Sequence, residues 1–368
     1  MDAQLPDGGI PRLAPFSGWG PDGGGPAWDC AVAVVPWTLY RYRGDRRILE
    51  ETYPALRRYI EWGKTKLNEN GLADNGLGDW CAPMPADTWW RYTPRALTST
   101  AWWRTALCIA SREARLLGFH DDAERFGTLA QDALEAARRA FQKPDGTWAD
   151  GTQCAQACAI SAGLVSPMLR DAAGLRLAEA VEAANRFVKC GILGVKWLFR
   201  ALCETGRGDL AVAILSQTAR PSFGDWISRG ATTAWESWND PTSQNHVMFG
   251  DVSAWLFQYP GGIRLADGDD AIGFRKMLLA PDTAGLSWVK ASHECPYGTI
   301  RSEWRIDDDK FDWTVEVPPN TTATAVLPKG FCNARLSDDA EATIHRGCLA
   351  WRLGSGVWRI HAEAAILP

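Results

Sequence analysis

The sequence predicts an α+β chain in two parts, a ring of α-helices followed by an antiparallel β-sandwich, and three observations lead there. Apolar residues recur at spacings of three and four between about Trp28 and Tyr259. After Ile272 the texture changes to short β-branched and aromatic runs separated by turn residues. The 368 residues also exceed the roughly 250–300 at which one hydrophobic core stops growing, so two domains are expected, 1–265 and 266–368.

The helical part opens with Ala31–Arg43, ended by Gly44-Asp45, and continues with a short helix ahead of Pro54 and another over Pro54–Leu67. Ser99–Leu117 follows and is closed by Gly118. In Ala123–Phe141, Phe126, Leu129, Ala130, Ala133, Leu134, Ala137 and Phe141 share one face, and the other carries charged and amide side chains. Asp121 or Asp122 is placed to cap this helix, and Pro144-Asp145-Gly146 to end it. Gln153–Ala162, Pro167–Phe187, Ile192–Thr205, Leu210–Gln217 and Asn245–Phe257 complete a set of about nine or ten helices. So many helices on alternating loops suit a toroid better than a four-helix bundle, and the lack of a tight repeat argues against a solenoid.

In the second part the runs are Lys276–Leu279, Ser287–Ser292, Gly298–Ile306, Phe311–Val317, Ala323–Leu327, Ala342–His345 and Val357–Ala362. Pro281-Asp282, Pro296-Tyr297-Gly298, Asp307-Asp308-Asp309, Pro318-Pro319-Asn320 and Gly354-Ser355-Gly356 supply turns between them. Regularly spaced short strands of this kind form a sandwich. The boundary between the parts is expected near Gly261–Ala271.

Composition narrows the function. A net charge of −5 argues against a nucleic-acid partner, which needs clustered Lys and Arg. No apolar run approaches the ~20 residues of a membrane span, so no membrane partner is expected. The first residues, Met1 to Gly9, lack a basic stretch followed by an apolar one, and the expected compartment is cytoplasmic. Ten cysteines follow no regular framework, and Cys154 and Cys158, four apart on one helix, lack a second Cys or His pair with which to hold a metal. No cofactor is expected. Tryptophan stands out at 20 residues, and indoles suit ligands with one apolar and one polar edge, as sugars have.

Gly230 to Trp238 sets one carboxylate, Glu236, between Trp235 and Trp238 in a loop before a helix. Such a group can activate water while the rings shape a sugar subsite; the alternative is a surface Glu beside two packing indoles. In Gly78-Asp79-Trp80, Asp79 can accept hydrogen bonds from sugar hydroxyls and Trp80 can pack on a ring face, or the tripeptide is a turn. Trp28-Asp29 opens a helix, where Asp29 binds or caps. His246, in Gln244-Asn245-His246, suits vicinal diols or a structural role. No Ser-His-Asp or metal-ligand arrangement and no phosphate-binding glycine loop is apparent.

Taken in order, these segments resemble glycoside hydrolase family 78, the α-L-rhamnosidases. The resemblance rests on Asp2-Ala3-Gln4 with Pro6 to Pro11, Ala27-Trp28-Asp29 with Val35-Pro36-Trp37, Gly78-Asp79-Trp80, Thr152-Gln153, Pro221 to Gly224, Gly230 to Trp238, Asn245-His246 with Gly250 and Trp255, and Val317 to Asn320. It implies an (α/α)6 barrel followed by a β-sandwich, and hydrolysis of terminal α-L-rhamnose from glycosides with inversion and without a metal. Glu236 matches the general base, and Asp79, Trp80, Trp28 and His246 match positions around the rhamnose.

One feature of the family departs from this sequence. An acidic stretch of the form Asp-x-x-x-Arg-Asp-Glu-x-x-Gly-Trp-x-Gly-Asp, whose Glu is the general acid, precedes the part that Asp2 to Pro11 resembles, and the chain is expected to begin after it. An inverting glycosidase needs a second carboxyl group about 6.5–9.5 Å from the first. Loss of general-acid assistance costs roughly 10²–10⁴ in rate. The expectation is a barrel incomplete at its start, impaired in isolation and served by an N-terminal companion chain. Two other readings stand beside it: a non-catalytic carbohydrate-binding protein that keeps the sugar subsite, and a different inverting glycosidase on the same toroid.

Overall fold

The computed structural model describes residues 2–15, 24–84, 92–239, 243–337 and 340–365. The chain divides into two compact units, one of residues 1–38 and 46–250 and the other of residues 39–45 and 251–368. Among the described residues no helix is long and apolar enough to cross a membrane.

The first unit is helical: α1 (Pro26–Asp29), α2 (Ala31–Arg43, whose last turn belongs to the second unit), α3 (Arg47–Lys64), α4 (Arg95–Leu117), α5 (His120–Phe141), α6 (Gln153–Ser161), α7 (Arg170–Ala183), α8 (Ile192–Glu204), α9 (Gly208–Leu215) and α10 (Phe223–Ser228). Successive helices pair as hairpins, α4 with α5, α6 with α7 and α8 with α9, while α1, α4, α6 and α8 pack side by side. Sequence chemistry sorts the two rows. Gln153 through Ile160 of α6 are all buried, as a helix enclosed on every side requires, whereas α5 buries one stripe of Phe126, Ala130, Ala133, Leu134 and Ala137.

Several boundaries differ from the sequence reading. Pro54 does not begin a helix but lies inside α3, which runs from Arg47. Residues ahead of Pro54 already complete a turn, and proline removes only one backbone donor. The start of α5 lies three residues earlier than expected, with Phe119 at its N-cap and no side-chain cap there. Asp122 instead accepts a hydrogen bond from the Tyr53 hydroxyl (2.7 Å) and pairs with Arg57 and Arg125. The helix expected over Asn245–Phe257 is broken at Gly250 into a 3₁₀ turn, Val247–Phe249, and α11 (Asp251–Gln258), which belongs to the second unit.

The second unit holds two five-stranded sheets. One has the order β1 (Ile263–Leu265), β2 (Lys276–Leu279), β6 (Thr322–Val326), β9 (Cys348–Leu353), β8 (Glu341–His345). The other runs β3 (Trp288–Cys295), β4 (Gly298–Asp307), β5 (Lys310–Val317), β10 (Gly356–Ala364), β7 (Phe331–Leu336). Pairing is antiparallel except between β2 and β6, where Lys276 faces Thr322 in a parallel register. Alternation drives the packing: Phe311, Trp313, Val315 and Val317 of β5 point inward and join Met277, Leu279, Ile300, Trp304 and Ile360. The buried indoles stay satisfied, Trp313 donating to Ser302 Oγ (3.0 Å) and Trp304 to the Pro260 carbonyl (2.8 Å).

Candidate active site

The starts of the inner helices meet at one end of the first unit. Thr93 and Thr152, just ahead of α4 and at the cap of α6, touch through their hydroxyls at 2.9 Å. Thr152 also accepts from the Ala155 amide and caps α6. Asp79, in the loop before α4, reaches the start of α8, where its two oxygens accept from the amides of Gly191 and Gly194, each at 2.8 Å. Trp80 follows, and its carbonyl accepts from the Ile192 amide at 2.9 Å. This crossing requires glycine at position 191, because a Cβ there would stand 2.1 Å from the Trp80 oxygen.

Glu236 lies in a loop that returns on itself. Its amide donates to the Ser243 carbonyl (3.0 Å), the His246 amide to the Ala234 carbonyl (2.8 Å), and the Thr233 hydroxyl to the Gln244 carbonyl. The pairing brings Nδ1 of His246 to 4.0 Å from a Glu236 carboxylate oxygen, with both side chains partly exposed. That gap is too long for a direct hydrogen bond between the two.

An aromatic cluster holds the loop in place. Trp226 stacks on Trp238 at 4.5 Å, Phe249 lies 4.6 Å from Trp238, and Phe223 meets it edge-on at 5.1 Å. The Trp238 indole donates to the Cys190 carbonyl (2.8 Å), so the Glu236 loop is fastened to the residue ahead of Gly191. Asn239 adds a bond to the Met84 carbonyl (3.3 Å), close to the Asp79–Trp80 segment.

Four of the residues expected to bind a sugar are enclosed. Trp238 is 0% exposed and Trp235 4%, and the guanidinium of Arg229 covers the Trp235 ring at 4.7 Å. Asp79 is 1% exposed and its oxygens are held by backbone amides, so it serves the helix start rather than a sugar hydroxyl. Burial pushes its carboxyl up, against the Gly194 and Gly191 bonds and a bond from the Cys154 thiol. Asp29 is also enclosed, with one oxygen accepting from the Gly24 amide (3.2 Å), and burial pushes it up to about 7. Gly25 is the N-cap of α1 and no side chain caps it, so Asp29 does not cap that helix either.

Trp28 and Trp80 are half-buried. Glu236 and His246 lie together, 4.0 Å apart, and Trp28 is on α1, which packs beside α4. Cys81 is a residue the sequence reading missed. It is half-buried, takes a left-handed φ of 58°, and is pushed up to about 12 by burial and then by the charges of Glu236 and Asp79. Its thiol thus lies within electrostatic reach of both carboxylates, and its place after Trp80 was the signal that could have found it. Cys154 and Cys158 are buried, and among the described residues no group of three or more His, Cys, Asp or Glu side chains is arranged to hold a metal.

Comparison with known proteins places these features in a family. Residues 1–259 match the bacterial alpha-L-rhamnosidase 6 hairpin glycosidase domain, and residues 262–335 match the bacterial alpha-L-rhamnosidase C-terminal domain. An alpha-L-rhamnosidase of Alteromonas sp. (strain LOR) is 30% identical over 89% of this chain and 37% of its own length, and one of Streptomyces avermitilis is 30% identical over 97% and 35%. The crystal structure of the Streptomyces avermitilis enzyme complexed with L-rhamnose superposes with a TM-score of 0.86 at 29% identity, covering 98% of this chain and 35% of that one. A structure of alpha-L-rhamnosidase from Dictyoglumus thermophilum gives 0.88 at 27% identity, covering 98% and 42%. The chain spans about 35–37% of the length of these two curated relatives.

Proposed function

Because the chain belongs to the bacterial α-L-rhamnosidase family, through both its six-hairpin glycosidase part and its C-terminal part, we propose that it provides the sugar pocket and water-activating carboxylate of an inverting hydrolase of terminal α-L-rhamnosides. The observation that carries this reading is the placing of Glu236 beside His246, whose Nδ1 stands 4.0 Å from the carboxylate, on a loop packed through Trp238 on Trp226. Glu236 accepts a proton from water as the water oxygen bonds to the anomeric carbon. The bond from that carbon to the leaving oxygen breaks on the opposite face, and the configuration inverts. His246 holds a sugar hydroxyl, and the half-buried faces of Trp80 and Trp28 exclude water from the apolar side of the ring.

The leaving oxygen also needs a proton. Asp79, the other carboxylate whose field reaches Cys81, is locked to backbone amides and cannot turn toward it. We assign the donor to a companion segment with the acidic pattern described above, on the family resemblance alone. The natural substrates are rhamnose-containing glycosides.

The reading is tested with p-nitrophenyl α-L-rhamnopyranoside, whose phenolate departs with little acid assistance. Proton NMR during hydrolysis should show β-L-rhamnose as the first product. Initial formation of the α anomer, or turnover that does not depend on Glu236, contradicts it.

A further inference from the structure

A cleft of about 390 Å³, a volume typical of small-molecule sites, opens in the second unit. Thr299 of β4, Glu316 near the end of β5, Pro318 and Pro319 after it, and Ser355 and Val357 on either side of Gly356 line it. The chain itself makes this gap. β4 and β5 pair from Asp307 with Lys310 as far as Arg301 with Glu316. In the same register Thr299 would face Pro318, but neither Pro318 nor Pro319 has an amide hydrogen to give the ladder, so the pairing ends. β10 stays joined to β5 through Gly356 and Val317, at a φ of 138° that glycine permits.

The chemistry of the cleft follows from where its hydrogens go. The Thr299 hydroxyl donates to Glu294 Oε1 (2.7 Å), and the Ser355 hydroxyl donates to the Pro318 carbonyl (3.0 Å). With those hydrogens committed, both hydroxyls keep acceptor lone pairs for a ligand. Glu316 accepts from Arg301 Nε at 2.8 Å, so its charge is matched within the sheet. Pro319 and Val357, the latter 51% exposed, add apolar surface. Acceptors, a compensated charge and an apolar side together suit a neutral ring that donates several hydrogen bonds and has one apolar face, and a pyranose is such a ring. A cation would find the carboxylate already paired.

We propose that this cleft is a second carbohydrate site, built wholly from the β-sandwich, that takes one neutral pyranose of a glycan. The sugar hydroxyls donate to Thr299, to Ser355 and to the second oxygen of Glu316, and its apolar face rests on Val357 and Pro319. Such a site holds a glycan without using the Glu236 loop, and it stands or falls apart from the reading of that loop.

Titration of the full chain with the methyl glycosides of D-glucose, D-galactose and D-mannose, followed by ligand-observed proton NMR, tests this. The unaltered chain should bind at least one of them. Glu316→Ala and Val357→Asp should each weaken that binding by about fivefold, the effect of one lost hydrogen bond or apolar contact. Thr299→Val, which keeps the side-chain shape, should weaken it by about threefold and covers the case in which another variant misfolds. Arg359→Ala, exposed two positions further along β10, should leave it unchanged. No binding of any of the three glycosides, or equal binding by the three cleft variants, overturns the site. Tighter binding of n-butylammonium than of every glycoside overturns the assignment to a sugar.

Discussion

Nδ1 of His246 stands 4.0 Å from a carboxylate oxygen of Glu236, and the two residues are brought to that separation by the backbone pairing of Glu236 with Ser243 and of His246 with Ala234. A carboxylate and an imidazole held by backbone pairing can address a water and a sugar hydroxyl together.

If Glu236 is the base, Glu236→Gln should reduce hydrolysis of p-nitrophenyl α-L-rhamnopyranoside by about 10²–10⁴ while holding L-rhamnose affinity within roughly threefold. Steady-state kinetics and calorimetry on the same preparation check this. A variant that retains full turnover removes the assignment.

Asp79 behaves differently because its oxygens serve the start of α8. Asp79→Ala leaves two buried amides without an acceptor and should cost about 2–4 kcal/mol of stability in urea unfolding. A variant as stable as the parent would show that the helix start does not depend on this carboxylate.

The indoles separate in the same way. Trp238→Ala empties a fully buried position and should destabilise the unit by about 3–5 kcal/mol. Trp80→Ala, at a half-buried position, should weaken L-rhamnose binding by about 1 kcal/mol with a smaller change in the unfolding midpoint. The reverse ordering of the two variants contradicts the placement of these rings.

Glu113 on α4 is buried, with no hydrogen-bond partner for either oxygen among the described residues, and burial pushes its carboxyl up to about 8. The folded form keeps this proton at pH values where the unfolded chain has lost it. Stability therefore falls as pH rises from about 4.5 through about 8. Glu113→Gln removes the ionisation, so its melting temperature should exceed the parent's by an amount that grows with pH, reaching roughly 1–3 kcal/mol of stability near pH 9. Parallel melting curves for the two proteins across that range would contradict it.

Much of this was legible in the sequence because it is local. The amphipathic stripe of α5, the alternation of β5 and the turn residues between strands act within a few positions, and Ala31–Arg43 and Lys276–Leu279 match their elements end to end. Glu236 and His246 were readable as a loop carboxylate and imidazole among aromatics. The role of Asp79 was not, because its partners Gly191 and Gly194 lie 112 and 115 positions away. Nor could the sequence say which side of their loop Trp235 and Trp238 face, since an indole beside a carboxylate fits a wall or a core equally well. That choice is made by Trp226 and Phe249. The strands β1, β7 and β9 escaped for a related reason. Cys332-Asn333 and Arg335 in β7 weaken its pattern, and pairing with β10 supplies what its own residues do not.

The central claim is that one pocket, formed by Glu236, His246 and Trp80 at the starts of the inner helices, holds the sugar. A crystal of this chain soaked with L-rhamnose tests it most directly. The account predicts the sugar beside Glu236, with a hydroxyl in hydrogen-bond reach of His246 and an apolar face against Trp80. Rhamnose bound elsewhere, with that pocket occupied by solvent alone, would contradict it.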